Sequence, residues 1–325
     1  MRANSPPSTW KVLLAFAIIY LVWGSTFLAI RIGVREVPPF LLAAMRFLVA
    51  GSVLFAWMRA RGTPSPTASQ WGAAALLAVL IFVLDYGLLF WAERRVPSGI
   101  AAVMMATIPA FMALGEITVL RTQRFTIRLG IALLLGIAGV AVLVGPSINL
   151  GGGPVDRVGA CALIVAAISW SIAASLGRKL PQPAAKAMSS GIQMLTGGIL
   201  LFVASALLGE LRGFRVQAVS HEAWLALAYL IVAGSIVAYT AYVWLIHHES
   251  PTKVGTYAYV NPVVAVVIGY FFGGEPLGPR TILGTLFVLV SVVVITTGPR
   301  KKSPALDTHE TDNPKLTIEK LTPDL

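Results

Sequence analysis

The sequence predicts an all-α polytopic membrane protein, with ten transmembrane helices arranged as two inverted five-helix repeats. Three observations lead there. Of 325 residues, 57% are apolar and 12% charged, with mean hydropathy +0.80; a soluble domain carries roughly 45–50% and about 25%. The apolar residues fall in continuous runs of about 20, the length a helix rising about 1.5 Å per residue needs to cross about 30 Å of hydrocarbon. Finally, the two halves of the chain align with each other.

The runs lie near 11–30, 40–58, 71–91, 97–118, 126–144, 158–177, 187–207, 224–246, 252–273 and 281–298. They are continuous rather than alternating, so they read as helices and not as barrel strands. The first is longer than a signal-peptide core and lacks a small-x-small exit, so it reads as an anchor. A Gly-rich linker, 146–157, separates the first repeat (11–145) from the second (158–298). Residues 1–10 read as a cytoplasmic N-terminal tail. Residues 299–325 are polar and aperiodic, and read as a disordered cytoplasmic tail.

With the N-terminus placed inside, the inner segments hold sixteen of the 25 Lys and Arg residues and the outer segments eight, with Arg46 left inside a span. That bias puts both termini in the cytoplasm. The net charge of +11 sits in short clusters between apolar runs and does not interleave with aromatics, which argues against a nucleic-acid groove. A single cysteine, Cys161, excludes a disulfide scaffold.

The duplication is read from matched residues. Trp23 to Arg31 has the spacing of Trp170 to Arg178, and at the same offset Arg46 falls on Gln193 and Gly51 on Gly198. Further on, Trp71 falls on Trp224, Tyr86 on Tyr239, Trp91 on Trp244 and Pro109 on Pro262. An odd number of spans per copy inverts the second copy. Inverted repeats are typical of secondary transporters, whose substrate sites lie near the midplane at the repeat interface.

Three stretches, YLVWGSTFLAIR (20–31), FWAERRVPSGIAAVMMATIP (90–109) and PTKVGTYAYVNPVVAVVIGYFFGGEPLGPR (251–280), resemble the drug/metabolite transporter superfamily, specifically its ten-helix EamA-type members. The similarity runs from about 11 to 298. It implies a carrier integral to the bacterial inner (plasma) membrane, usually an exporter of amino acids, metabolites or drugs. It also implies a cavity lined by helices one, three, four, six, eight and nine.

On that lining, Trp23, Tyr86, Trp170, Tyr239, Tyr242, Tyr257 and Tyr259 would form an aromatic box for flat, apolar or cationic solutes; the alternative is that half of them face lipid or core. Ser25 and Thr26 are candidate substrate ligands, or else bond their own helix carbonyls. Asn261 is either a substrate ligand or a partner for the helix broken at Pro262. Pro109 and Pro262 each remove a backbone hydrogen bond and kink a helix. Arg46 and Asp85 lie at similar depth on neighbouring spans and are expected to pair, either as a gate or proton-coupling site or as an ion pair that fixes packing. Glu116 is expected to face headgroups with Arg121 or Arg124. Glu275 is expected to pin the turn into the tenth helix with Arg280. Trp10, Trp57, Trp71 and Trp224 read as interfacial anchors, Gly130, Gly136, Gly139, Gly197 and Gly198 as packing positions, and His247 and His248 as solvated.

There is no Gly-x-x-x-x-Gly-Lys-Ser/Thr stretch, His-Glu-x-x-His motif, cysteine pair or nucleophile elbow. The expectation is therefore no enzyme, no cofactor and no metal. The expected partners are a small-molecule substrate, membrane lipid and, where a proton gradient drives transport, protons, with no nucleic acid and no obligate protein partner. A passive facilitator is the alternative reading, followed by a non-transporting membrane enzyme or receptor-like subunit.

Overall fold

The computed structural model describes residues 8–118, 125–144, 155–177, 179–248 and 257–296. The expected C-terminal tail and most of the expected linker lie outside the described residues, as do the side chains of Glu116, His247 and Tyr259.

Every expected span is helical over its described residues, apart from a turn that breaks the fourth. Thr9–Val34, Pro39–Ala60, Ala68–Ala92, Arg157–Gly177, Lys186–Leu207 and His221–Tyr242 are each long and apolar enough to cross a membrane. Ser98–Met112, Ile127–Leu143, Val260–Gly273 and Pro279–Val294 are shorter apolar helices at the four remaining positions. Where helices begin, the local sequence gives the reason. The third span starts with a capping box, in which the Thr67 hydroxyl accepts from the Gln70 N–H and the Gln70 side chain from the Thr67 N–H. The second starts with Pro39 in its first turn, where a missing N–H costs nothing.

The inversion of the repeats is visible in the packing of the second span against the seventh. Gly51 faces the backbone of Leu195, and Gly198 faces the backbone of Leu48. Leu48 and Leu195 are separated by the same offset as Gly51 and Gly198, so the contact is reciprocal, as a two-fold axis between the copies requires. Gly191 against Phe55 continues the same antiparallel register. The fifth and tenth spans cross in the same way, with Leu143 over Gly284 and Val288 over Gly139. Small residues let these backbones approach closely, which in lipid supplies the packing that hydrophobicity cannot.

Three of the other spans have irregular backbones. The third span widens into a π-helical segment at Val79–Gly87, and the eighth does so at Leu230–Val237, near the matching position of the second repeat. The fourth span breaks into Ser98–Met105 and Ile108–Thr118, with Pro109 in the first turn of the second piece. Pro262 stays inside one continuous helix, Tyr257–Gly273. The two matched prolines thus act differently: one splits its helix and the other does not.

The reciprocal crossing generates a prediction. Gly51→Val or Gly198→Val drives a branched side chain into the facing backbone. Each should lower stability by about 1–3 kcal/mol, read as a lower melting temperature of the purified protein, while Gly72→Ala, where a Cβ meets nothing within 4 Å, leaves it unchanged.

Candidate functional site

A π turn leaves carbonyls without their usual helical partner, and in hydrocarbon each must find another. Here side chains supply them, two of them from other spans. Trp23 Nε1 donates to the Gly234 carbonyl at 3.0 Å, and the Ser169 hydroxyl donates to the Leu80 carbonyl at 2.8 Å. Ser235 Oγ donates to the Leu230 carbonyl at 3.0 Å and accepts from Arg46 Nε at 2.9 Å. Arg46 is 3% exposed, and its guanidinium lies 4.8 Å from the Phe47 ring centre and 5.4 Å from that of Tyr86. Cation–ring contacts of this kind strengthen when desolvated.

The aromatic residues form two groups on either side of this arginine. Trp23 packs on Tyr242 and Tyr257 at 5.3 and 5.2 Å between ring centres, and Tyr239 joins through Tyr242 at 6.4 Å. Tyr86 packs on Phe47, Phe82 and Trp170 at 4.7, 5.9 and 6.2 Å. Tyr257 interacts electrostatically with Tyr242 and Tyr86, and Tyr86 with Arg46. The predicted aromatics are therefore brought together as two clusters that meet near Arg46, rather than as one ring.

Other sequence candidates are placed differently. Ser25 Oγ meets the Val22 carbonyl at 2.9 Å and the Tyr229 hydroxyl at 2.5 Å, and Thr26 Oγ1 donates to the Trp23 carbonyl at 2.6 Å. Both hydroxyls turn back onto their own helix. With its amide nitrogen facing them, Asn261 donates to the Tyr257 and Tyr20 carbonyls, both at 3.3 Å. It ties the ninth span to the first.

The expected Arg46–Asp85 pair does not form. Tyr86 occupies the side of the third span that faces Arg46. Its neighbour Asp85 projects elsewhere round the helix, 2% exposed and with Oδ1 lacking a hydrogen-bond partner among the described residues. Glu275 is also corrected. It does not cap the tenth helix or pair with Arg280, whose Nε donates to the Val142 carbonyl at 2.7 Å. Its carboxylate reaches instead to the start of the fourth span, accepting from the Ser98 and Gly99 N–H groups at 2.7 and 3.0 Å, and pairs with Arg31 at 3.3 Å. Gly274, at φ +63°, makes the turn. Gly269 leaves the room, since a Cβ there would stand 2.5 Å from Glu275 Oε2.

This contact belongs to a set that sequence reasoning missed. At the same end of the bundle, Glu210 accepts from the Phe40 and Leu41 N–H groups at 3.3 and 3.0 Å, at the start of the second span. Glu36 accepts from the N–H and hydroxyl of Ser220, the N-cap of the eighth span, at 2.5 and 2.7 Å. Those two donors hold the Glu36 carboxyl below the ordinary carboxylate range. Each contact joins one repeat to the other, so this is called the glutamate end. A signal existed: the second and fourth spans have Pro38 and Pro97 at their N-caps. Proline has no acceptor side chain, so the cap must come from elsewhere. Glu93, also missed, lies here with 0% exposure. Its backbone carbonyl accepts from Arg31 Nη1 at 2.8 Å.

Two crossed five-span repeats with irregular backbone, buried charge and aromatics at their junction define a polytopic helical membrane protein built from a duplicated unit. The EamA-like transporter family matches residues 9–145 and again 157–297; the chain belongs to that family. It is 37% identical over 287 residues to the uncharacterized inner membrane transporter YedA of Escherichia coli K12, covering 87% of this chain and 90% of the relative. It is 26% identical to the protein PecM of Dickeya dadantii over 84% of this chain and 88% of that one. A crystal structure at 22% identity superposes with a TM-score of 0.58 over 88% of this chain and 96% of the other, a likeness of fold.

Glu275→Ala orphans two helix-end amides and removes the ion-pair partner of Arg31, at about 1–3 kcal/mol for each buried group left unpaired. Glu275→Gln keeps an acceptor and should lose less. Melting temperatures should rank wild type above Gln above Ala.

Proposed function

We propose that this protein is a secondary transporter of the inner membrane that exports small organic solutes, of the amino-acid, metabolite or drug-like kind, by alternating access. One observation supports this above the others. Trp23, Arg46, Tyr86 and Ser235 come from four spans and both repeats, and they converge where two π segments widen the helices. A site made of both copies changes shape when the copies rock against each other. Trp23, Tyr86, Trp170, Tyr239, Tyr242 and Tyr257 would hold the apolar body of the solute. Arg46 and Asp85 would act separately, Arg46 as the junction cation and Asp85 as a proton carrier within the bilayer. The glutamate end, which the Lys and Arg bias assigns to the outside, would be the closed face.

The test is counterflow in proteoliposomes containing only this chain, against amino acids, nucleosides, sugars and lipophilic cations. At least one class should exchange. Trp23→Ala should slow that exchange at least tenfold, while Trp57→Ala leaves it unchanged. No exchange of any class would overturn the carrier reading. Asp85→Asn should remove the pH dependence of gradient-driven uptake; uptake unaltered at every pH would make Asp85 structural.

A further inference from the structure

Glu93 follows the third span, in the turn that leads to Ser98. It is fully buried, and neither carboxylate oxygen has a hydrogen-bond partner among the described residues. Its surroundings are otherwise well partnered. Glu275 takes two amide protons and faces Arg31, and Arg31 Nη1 bonds the Glu93 and Val96 carbonyls. Of the Arg31 donors, Nη1 is engaged by backbone carbonyls and Nε faces Glu275.

The charged groups around it are known from each neighbouring element. Arg31 comes from the first span, Arg46 from the second and Glu275 from the connection before the tenth. The sixth span carries charge only at its start, in Asp156 and Arg157, and Asp156 is bonded to its own helix at the Gly159 N–H. On its own turn, Arg94 is exposed and Arg95 stacks on Trp91 at 3.9 Å. Burial pushes the Glu93 carboxyl well up, Glu275 adds to this, and Arg31 and Arg46 oppose it. An ionised carboxylate sealed from water without donors is too costly to persist. The only ligand that can reach such a group without prising the bundle apart is a proton.

We propose that Glu93 is a proton-binding site that ties closure of the glutamate end to the proton concentration on that face. A proton from bulk water bonds one carboxylate oxygen while the end is closed, and no other bond changes. When the end opens, water and the freed Arg31 stabilise the carboxylate and the proton returns to bulk. Each opening and closing then releases and takes up one proton at this face. The site sits in the gate of the transporter proposed above, but its existence does not require a solute.

The experiment uses the full-length protein in lipid nanodiscs without any solute. Infrared spectra at neutral pH should show a protonated-carboxyl carbonyl band that Glu93→Gln removes and Asp85→Asn leaves in place. Should Glu93→Gln fail to fold, Glu93→Asp keeps the acid and should shift the band. Melting adds a second readout. A carboxyl raised in the folded state contributes its stability below its unfolded value and loses it as pH climbs through the folded value. The wild type should therefore melt progressively lower relative to Glu93→Gln as pH rises from about 4.3 toward alkaline. A band unaltered in either Glu93 variant, or melting curves that stay parallel, would overturn the proposal. Counterflow decides the carrier reading separately.

Discussion

The structure depends on one constraint: a backbone N–H or carbonyl out of reach of water must have a partner. A regular helix meets it within itself. This bundle departs from regular helix at two π segments, at the break before Pro109 and at two starts capped by proline. At each of these places a side chain from elsewhere makes up the deficit: Trp23 on Gly234, Ser169 on Leu80, Ser171 on the Ile108 carbonyl at 3.2 Å, Glu210 on the second span and Glu275 on the fourth. Irregular backbone therefore becomes contact between spans, and in each of these cases contact between repeats.

The constraint also sorts the helices. The second with the seventh, and the fifth with the tenth, cross through glycines with backbones in near contact, and there is no room there for rearrangement. The third, fourth and eighth carry the irregular segments, and their carbonyls are held by single side-chain bonds. A bond of that kind contributes about 0.5–1.5 kcal/mol net and can exchange with water or with another donor. Rigid crossings and exchangeable junctions are thus separated along the chain.

Much of this was legible in the sequence. Span positions follow from apolar length, and the duplication from Trp23, Trp170, Pro109 and Pro262, because both are one-dimensional patterns. The convergence of Trp23, Tyr86 and Tyr242 follows from family likeness and depth. Azimuth was not legible. Arg46 and Asp85 match in depth, yet a one-residue rotation hands the arginine to Tyr86. The π segments left no trace, since widening a helix by one residue needs no particular residue type. Glu275 was noticed, but its partner 177 positions away could be found only by asking what satisfies a helix that begins after Pro97.

The two ends close by different chemistry, and the repeats account for it. In the first copy, Arg46 lies against Tyr86 and bonds Ser235. Its counterpart Gln193 donates to Ser189 at 2.9 Å, Ser189 donates to Gln182 at 2.8 Å, and the counterpart tyrosine, Tyr239, bonds Ser190. These are neutral groups within the second repeat. Among the described residues, the contacts between the repeats at that end include apolar ones of Phe55, Met58 and Trp71 with Met188 and Ile192, and Arg128 Nε on the Val294 carbonyl at 3.0 Å. The glutamate end is instead held by carboxylates on helix starts. A machine with identical ends would respond identically to proton concentration on either face. Here duplication supplied the symmetric frame, and divergence at Arg46, Glu93 and Glu275 set the glutamate end, with its proposed proton site, apart from the described part of the other end, where apolar packing and the Arg128 bond join the repeats.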